Sequence, residues 1–85
     1  MLRISSVESV ESEVTLRVEG QVKGRWVGVL RESCQAVLAQ GRPLSLDLGG
    51  VLFIDDEGVA FLRSLAARQV ALTNCSPFTA QQLRS

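Results

Sequence analysis

Apolar and polar residues alternate in two short segments near the start of the chain. The first segment runs from Leu2 to Val7, and the second from Val14 to Val18 has apolar side chains at every second position. A period of two is typical of half-buried β-strands. The polar stretch SVESVESE lies between the segments and predicts a hairpin loop that joins them.

The next apolar positions follow the period of a helix. A loop bracketed by Gly20 and Gly24 precedes this segment, and Gly41 followed by Pro43 ends it. The apolar stripe consists of Trp26, Val27, Leu30, Cys34, Val37 and Leu38. Because Trp26 stands on the stripe, we expect it to pack in the core rather than to bind a partner.

A third strand begins at Leu44 and ends in the run VLFI. Gly49 and Gly50 interrupt it, which predicts a bend or a bulge. From Asp56 onward a second helix presents a broad apolar face, made of Val59, Phe61, Leu62, Leu65 and Ala66.

The last part of the chain predicts a short strand and a third helix. The strand is VALTN, and the helix begins where Ser76 provides an N-cap before Pro77. The order is therefore strand, strand, helix, strand, helix, strand, helix. This alternation predicts a single α/β domain with a mixed, mostly parallel sheet of about four strands and about three helices.

Composition and charge exclude several classes of function. The chain of 85 residues is 46% hydrophobic and 21% charged, which suits one small folded domain with a thin core. Nine basic and nine acidic side chains cancel, so the basic excess of a nucleic-acid binder is absent from the sequence. The N-terminus offers no apolar h-region and the chain no transmembrane stretch, so we expect a cytoplasmic protein that does not insert into membranes.

The side chains that could carry chemistry are few. Cys34 and Cys75 lack CxxC spacing, and the chain has no histidine to complete a zinc site, so both are expected to be free thiols. Cys34 fits a small apolar residue on a helix face. Cys75 precedes a helix start, where the dipole can lower a thiol pKa, and both an inert and a reactive role stay open for it.

Acidic residues suggest one enzymatic alternative. Asp47, Asp55, Asp56 and Glu57 could form a magnesium site at strand ends. However, Asp47 lies well back along its strand, and neither a phosphate-binding GxxxxGK[ST] loop nor a serine triad is present. We therefore expect no catalytic residue, no metal and no cofactor.

The segment LDLGGVLFIDDEGVAFL resembles the LDLSGVxFIDSSGLxxL signature of STAS domains, in particular of bacterial anti-sigma factor antagonists. VEGQVKG before it and LTNCSPFTAQQL after it are similar to the neighbouring elements of that family, so nearly the whole chain is covered. Family members usually continue into one more strand and helix. The resemblance therefore implies a STAS-like domain over residues 1–85 without those last elements, and with an open sheet edge. The matching positions are Leu46, Asp47, Leu48, Gly50, Val51, Phe53, Ile54, Asp55, Gly58 and Leu62.

The resemblance implies a protein-binding site at Asp55, Asp56, Glu57 and Gly58. In the family, a serine or threonine in the two positions before the glycine accepts phosphate, which releases a partner that is both anti-sigma factor and kinase. Here those positions hold Asp56 and Glu57, so no hydroxyl is available for a phosphoswitch. Two permanent charges instead favour a partner with a basic docking surface or constitutive binding. Asp55 also fits a purely structural role as a helix N-cap.

Two other functions stay open at this point. The chain is equally similar, over the strand and turn, to the small STAS subunit that braces the ATPase of lipid-transporting ABC complexes. A self-associating structural domain, such as a homodimer, is the other alternative, because an open sheet edge can pair with a second copy.

Overall fold

The two alternating segments at the start of the chain pair as an antiparallel hairpin in the computed structural model, which describes residues 2–9 and 11–84. Strand β1 (Leu2–Glu8) lies beside β2 (Val14–Val22), with a register from Leu2 opposite Gly20 to Glu8 opposite Val14. The predicted hairpin is confirmed. Met1, Val10 and Ser85, which belong to the predicted domain and its first loop, lie outside the described residues.

Two more strands extend the sheet in parallel. Strand β3 (Leu44–Ile54) pairs with β2, and β4 (Ala71–Thr73) pairs with β3, which gives the order β1-β2-β3-β4. Helices connect the parallel strands and follow the last one: α1 (Arg25–Ala39), α2 (Asp56–Ala67) and α3 (Pro77–Arg84). The predicted α/β fold with a mixed, mostly parallel sheet is confirmed.

The core lies between the sheet and its helices, because α1 packs on β2 and β3 while α2 packs on β3 and β4. Alternate residues of the two central strands point into it and meet the apolar stripes of the helices. Cys34 is fully buried as a free thiol, and burial raises its pKa to about 11. This agrees with its predicted role as a small apolar residue. The most deeply buried side chains are Val18, Val22, Val27, Leu30, Cys34, Leu46, Leu48, Ile54, Leu62 and Leu65.

The predicted interruption of β3 is a double β-bulge. Between Asp47 and Gly50, and again between Val51 and Phe53, β3 carries one residue more than the facing stretch of β2. At Gly50 the strands come so close that a Cβ atom would lie 2.7 Å from Cγ of Glu19. A bulge bends its strand and redirects the side chains that follow it.

Two sequence-based predictions are wrong in detail. The loop predicted to begin at Gly20 begins later, since β2 runs on to Val22; Gly20 has φ of 105°, which glycine adopts without strain. Trp26 is only half-buried and lies outside the core cluster. Val27 takes the inward position of that turn, and the guanidinium of Arg25 lies 4.9 Å from the centroid of the Trp26 ring.

Helix α3 packs against α2 and reaches the last residue of β3. Strand β4 pairs only with Ser45–Asp47, whereas Nε2 of Gln82 in α3 donates to the carbonyl oxygen of Ile54 at 3.2 Å. The helix starts as predicted, because Oγ of Ser76 accepts from the backbone N–H of Thr79 at 3.1 Å. Over residues 2–9 and 11–84, no helix is long and apolar enough to cross a membrane.

Candidate functional site

The four residues predicted to bind a partner form the turn from β3 into α2, and we call Asp55–Gly58 the acidic turn. It lies where β2 and β3 both end, because Val22 and Ile54 are partners in the sheet register. Asp55 keeps an extended backbone, with φ of −84° and ψ of 177°, and so stands just before the first helical residue. The structure thus brings all four predicted residues together at one edge of the sheet.

The carboxylate of Asp55 joins the beginnings of two helices. Its Oδ1 accepts from the backbone N–H of Gly58 at 2.7 Å, which caps α2, and its Oδ2 accepts from the N–H of Gly24 at 2.9 Å. Gly24 is the residue that precedes α1, and its φ of 55° suits glycine. The backbone N–H of Asp55 also donates to the carbonyl of Val22 at 3.1 Å. Both oxygens are therefore engaged within the fold, and the structural role considered for Asp55 is observed.

These bonds also set the protonation of Asp55. The hydrogen bond from Gly24 contributes most to holding the pKa of this carboxyl below its usual value, followed by the bond from Gly58. The charge of Lys23 acts in the same direction, while partial desolvation opposes it. The charged form is the one that accepts both N–H groups, so the tie between the helices is strongest when Asp55 is ionised.

Gly58 is buried where α2 meets the end of the sheet. A Cβ atom at this position would lie 2.7 Å from the carbonyl oxygen of Val22 and 2.8 Å from Cγ2 of Ile54. Backbone cannot move aside as a flexible side chain can. Glycine therefore lets the first turn of α2 approach the sheet closely, which fixes the direction in which the turn faces solvent.

Asp56 and Glu57 occupy the first turn of α2 and are exposed. Carboxylates there interact favourably with the positive end of the helix dipole. Asp56 lies at a groove of about 440 Å³ shared with Arg63 and Gln82, whereas Glu57 lies at a groove of about 320 Å³ between α1 and α2. The nearest hydroxyl side chains in sequence are Ser45 and Ser64, so the acidic turn has none of its own.

Asp47 is not part of this arrangement. Its Oδ1 accepts from the N–H of Gly49 at 3.0 Å, and its Oδ2 lies 3.7 Å from Nε of Arg17. The bond from Gly49 is the main reason that the pKa of Asp47 is lowered, with a further bond from Asn74. Asp47 thus fixes the bulge, on the order of 20 Å along β3 from the acidic turn. In the described part of the chain, no three His, Cys, Asp or Glu side chains group as a metal site.

Sequence reasoning missed two residues near the acidic turn. Leu52 is 79% exposed and Phe53 is 43% exposed, although both belong to the apolar run VLFI. The Nζ atom of Lys23 lies 6.0 Å from the centroid of the Phe53 ring. We call Leu52 and Phe53 the apolar rim. The run VLFI itself indicates such exposure, because a strand that buries only one face cannot bury four successive apolar side chains.

The fold resembles that of anti-sigma factor antagonists. The anti-sigma factor antagonist SpoIIAA in its unphosphorylated form superposes with a TM-score of 0.72 and 20% identity, covering 96% of this chain and 82% of its own. A Mycobacterium paratuberculosis anti-sigma factor antagonist gives 0.71 and 18%, covering 85% and 64%. A Rhodobacter sphaeroides antisigma-factor antagonist STAS domain gives 0.64 and 18%, covering 86% of both chains. At identities this low, the superpositions establish the fold alone.

The family follows from the sequence itself. The family model described as "Mlab, STAS domain" matches residues 5–85, which is nearly the whole chain. The chain therefore belongs to the STAS domain family, and the predicted resemblance is confirmed. No curated protein matches the chain.

Proposed function

We propose that the chain is a protein-binding module of the anti-sigma factor antagonist type that docks its partner at the acidic turn without a serine phosphoswitch. The observation that carries this proposal is the geometry of the turn. Asp55 and Gly58 are committed to the fold, while Asp56 and Glu57 stand exposed beside them. The contacts of Asp55 and Gly58 fix the backbone of the turn, which reduces the backbone entropy lost on binding.

The charges favour a basic docking surface on the partner. The side chains of Asp56 and Glu57 make no hydrogen bond or ion pair with the residues that the structure describes, so both carboxylates are free to meet cations. Complementary charges increase the rate of association and select against partners of the same sign. The acidic turn would bind such a partner permanently, because no phosphate can be added there.

Phosphorylation tests the absence of the switch. The purified chain and an Asp56→Ser, Glu57→Ser variant are incubated with the serine kinase partner of the same organism and ATP, and phosphate is mapped by mass spectrometry. We expect phosphate at the acidic turn of the variant only, since a hydroxyl is required to accept it. Stoichiometric modification of the natural chain at Ser64, the exposed hydroxyl nearest the turn in sequence, would contradict the proposal.

A second candidate function is that of an accessory subunit bracing the ATPase of a lipid-transporting ABC complex. The observation that favours it is again the lack of a hydroxyl from Leu46 to Arg63, because a subunit that stays bound needs no release signal. Permease and ATPase genes beside the gene for this chain would favour the second candidate. A neighbouring sigma factor or kinase gene would favour the first.

A further inference from the structure

Leu52 is the most exposed large apolar side chain among the described residues. Its neighbour Phe53 is also exposed, whereas the other exposed apolar side chains, Val7, Val29 and Phe78, stand singly on β1, α1 and α3. Single exposed apolar residues are common and need no explanation. Two in succession beside a candidate binding turn indicate a contact surface.

The fold forces the apolar rim outward. Val51 pairs with Gly20 and Phe53 with Gln21, so Leu52 is the extra residue of the second bulge in β3. Val51 and Ile54 on either side of the rim are buried. Bulges recur beside functional sites, where they redirect side chains.

The apolar rim and the acidic turn lie close together. Phe53 and Asp56 are three positions apart in sequence, which places their Cα atoms at most about 11 Å apart. Lys23 stands at the Phe53 ring, and the N–H of the next residue, Gly24, is bound by Asp55. The surface therefore combines acidic groups, apolar groups and one cation, Lys23, beside the Phe53 ring.

We propose that the docking surface extends from the acidic turn onto Leu52 and Phe53, and that the partner presents an amphipathic segment whose apolar side chains are flanked by lysine or arginine. This inference rests on the proposed function and adds the chemistry of the partner. The basic residues of the segment face Asp56 and Glu57, while its apolar side chains cover the rim. Lys23 disfavours a cation of the partner placed beside the Phe53 ring.

The test uses two synthetic helical peptides of about 18 residues with the same leucine stripe, one flanked by lysines and the other by glutamates. Each is titrated into the full, ¹⁵N-labelled chain. The lysine peptide is expected to shift amide signals of residues 52–58 and to bind at least roughly tenfold more tightly than the glutamate peptide. Equal binding of the two peptides, or no binding by the lysine peptide at roughly millimolar concentration, would overturn the proposed partner chemistry.

Matched variants separate the apolar rim from the acidic turn. Leu52→Ser is expected to weaken binding of the lysine peptide roughly tenfold, and Val7→Ser to leave it unchanged. Val7 is a fair control because it is 52% exposed on a strand but lies near the other end of the sheet, opposite Thr15. Phe53→Ser provides a second test of the rim, with Phe78→Ser as its control, and thermal melts verify that each variant folds.

The variants also distinguish this inference from the proposed function. If Asp56→Asn with Glu57→Gln weakens binding while Leu52→Ser and Phe53→Ser do not, the apolar extension is wrong and the acidic turn stands as the docking site. If Leu52→Ser and Phe53→Ser weaken binding while neutralising the turn does not, the apolar contact stands and the acidic docking site falls. Loss of affinity with both sets supports the complete surface.

Discussion

At the scale of single residues, two residues of the acidic turn stabilise the fold and the other two expose negative charge. Gly58 allows α2 to approach Val22 and Ile54, and Asp55 satisfies the N–H groups of two helix starts. Asp56 and Glu57 make no such contact within the described chain. Substitutions should therefore separate into those that destabilise the fold and those that alter only recognition.

Gly58→Ala is expected to lower the free energy of unfolding by about 1–3 kcal/mol, because its methyl group would overlap backbone and a buried isoleucine. Gly28→Ala is the matched control. Gly28 also lies in a helix, but a Cβ atom there meets nothing within 4 Å, so we expect this change to stabilise α1 by about 0.5–1 kcal/mol. Urea unfolding of the two variants measures the difference. Equal effects would show that the close approach at Gly58 is not the reason for glycine there.

At the scale of elements, the strands and helices could be predicted because their apolar periods are regular. The N-caps at Asp55 and Ser76 were also visible, since capping depends on neighbouring residues. The hydrogen bond from Gly24 to Asp55 could not be predicted from sequence, because it joins residues 31 apart and depends on how α1 and α2 pack on the sheet. The partial exposure of Trp26 could not be predicted either. Helical spacing shows which face of α1 packs on the sheet, but it does not show how far the sheet extends beneath that face.

The two hydrogen bonds that Asp55 accepts at the starts of α1 and α2 should make the free energy of unfolding depend on pH in the acid range. The folded-state pKa of Asp55 is lowered, so the unfolded chain binds more protons, and the stability from this group is present above about pH 4 and lost as pH falls through the folded pKa. Asp55→Asn keeps one acceptor oxygen for two N–H groups, which should cost about 1 kcal/mol at neutral pH. The gap between natural chain and variant should narrow as the solution is acidified.

Asp56→Asn provides the control for this measurement, since the Asp56 carboxylate is exposed and accepts no hydrogen bond from the described residues. Part of the acid dependence should survive in Asp55→Asn, because the pKa of Asp47 and that of Glu8 are also lowered, mainly by Gly49 and Arg42 respectively. Melting temperatures recorded from pH 7 to about pH 3 decide the point. A constant gap across that range would contradict the assigned role of Asp55.

At the scale of the whole molecule, the chain is neutral but its functional groups are unevenly placed. The four strands and three helices of the described residues put the acidic turn and the apolar rim at one end of β3, away from the hairpin loop. Sequence could identify the STAS family because its signature is local. The run VLFI indicates exposed apolar side chains, but sequence could not say which of them face solvent, because this depends on the bulges in β3.

The most direct test of docking at the acidic turn is affinity purification from the organism that encodes the chain, using the natural chain and an Asp56→Arg, Glu57→Arg variant. Both residues are exposed and Asp55 still caps α2, so the variant should fold. We predict that a protein partner is retained by the natural chain and lost from the charge-reversed variant. Recovery of the same partner with undiminished yield on the variant would contradict docking at the acidic turn.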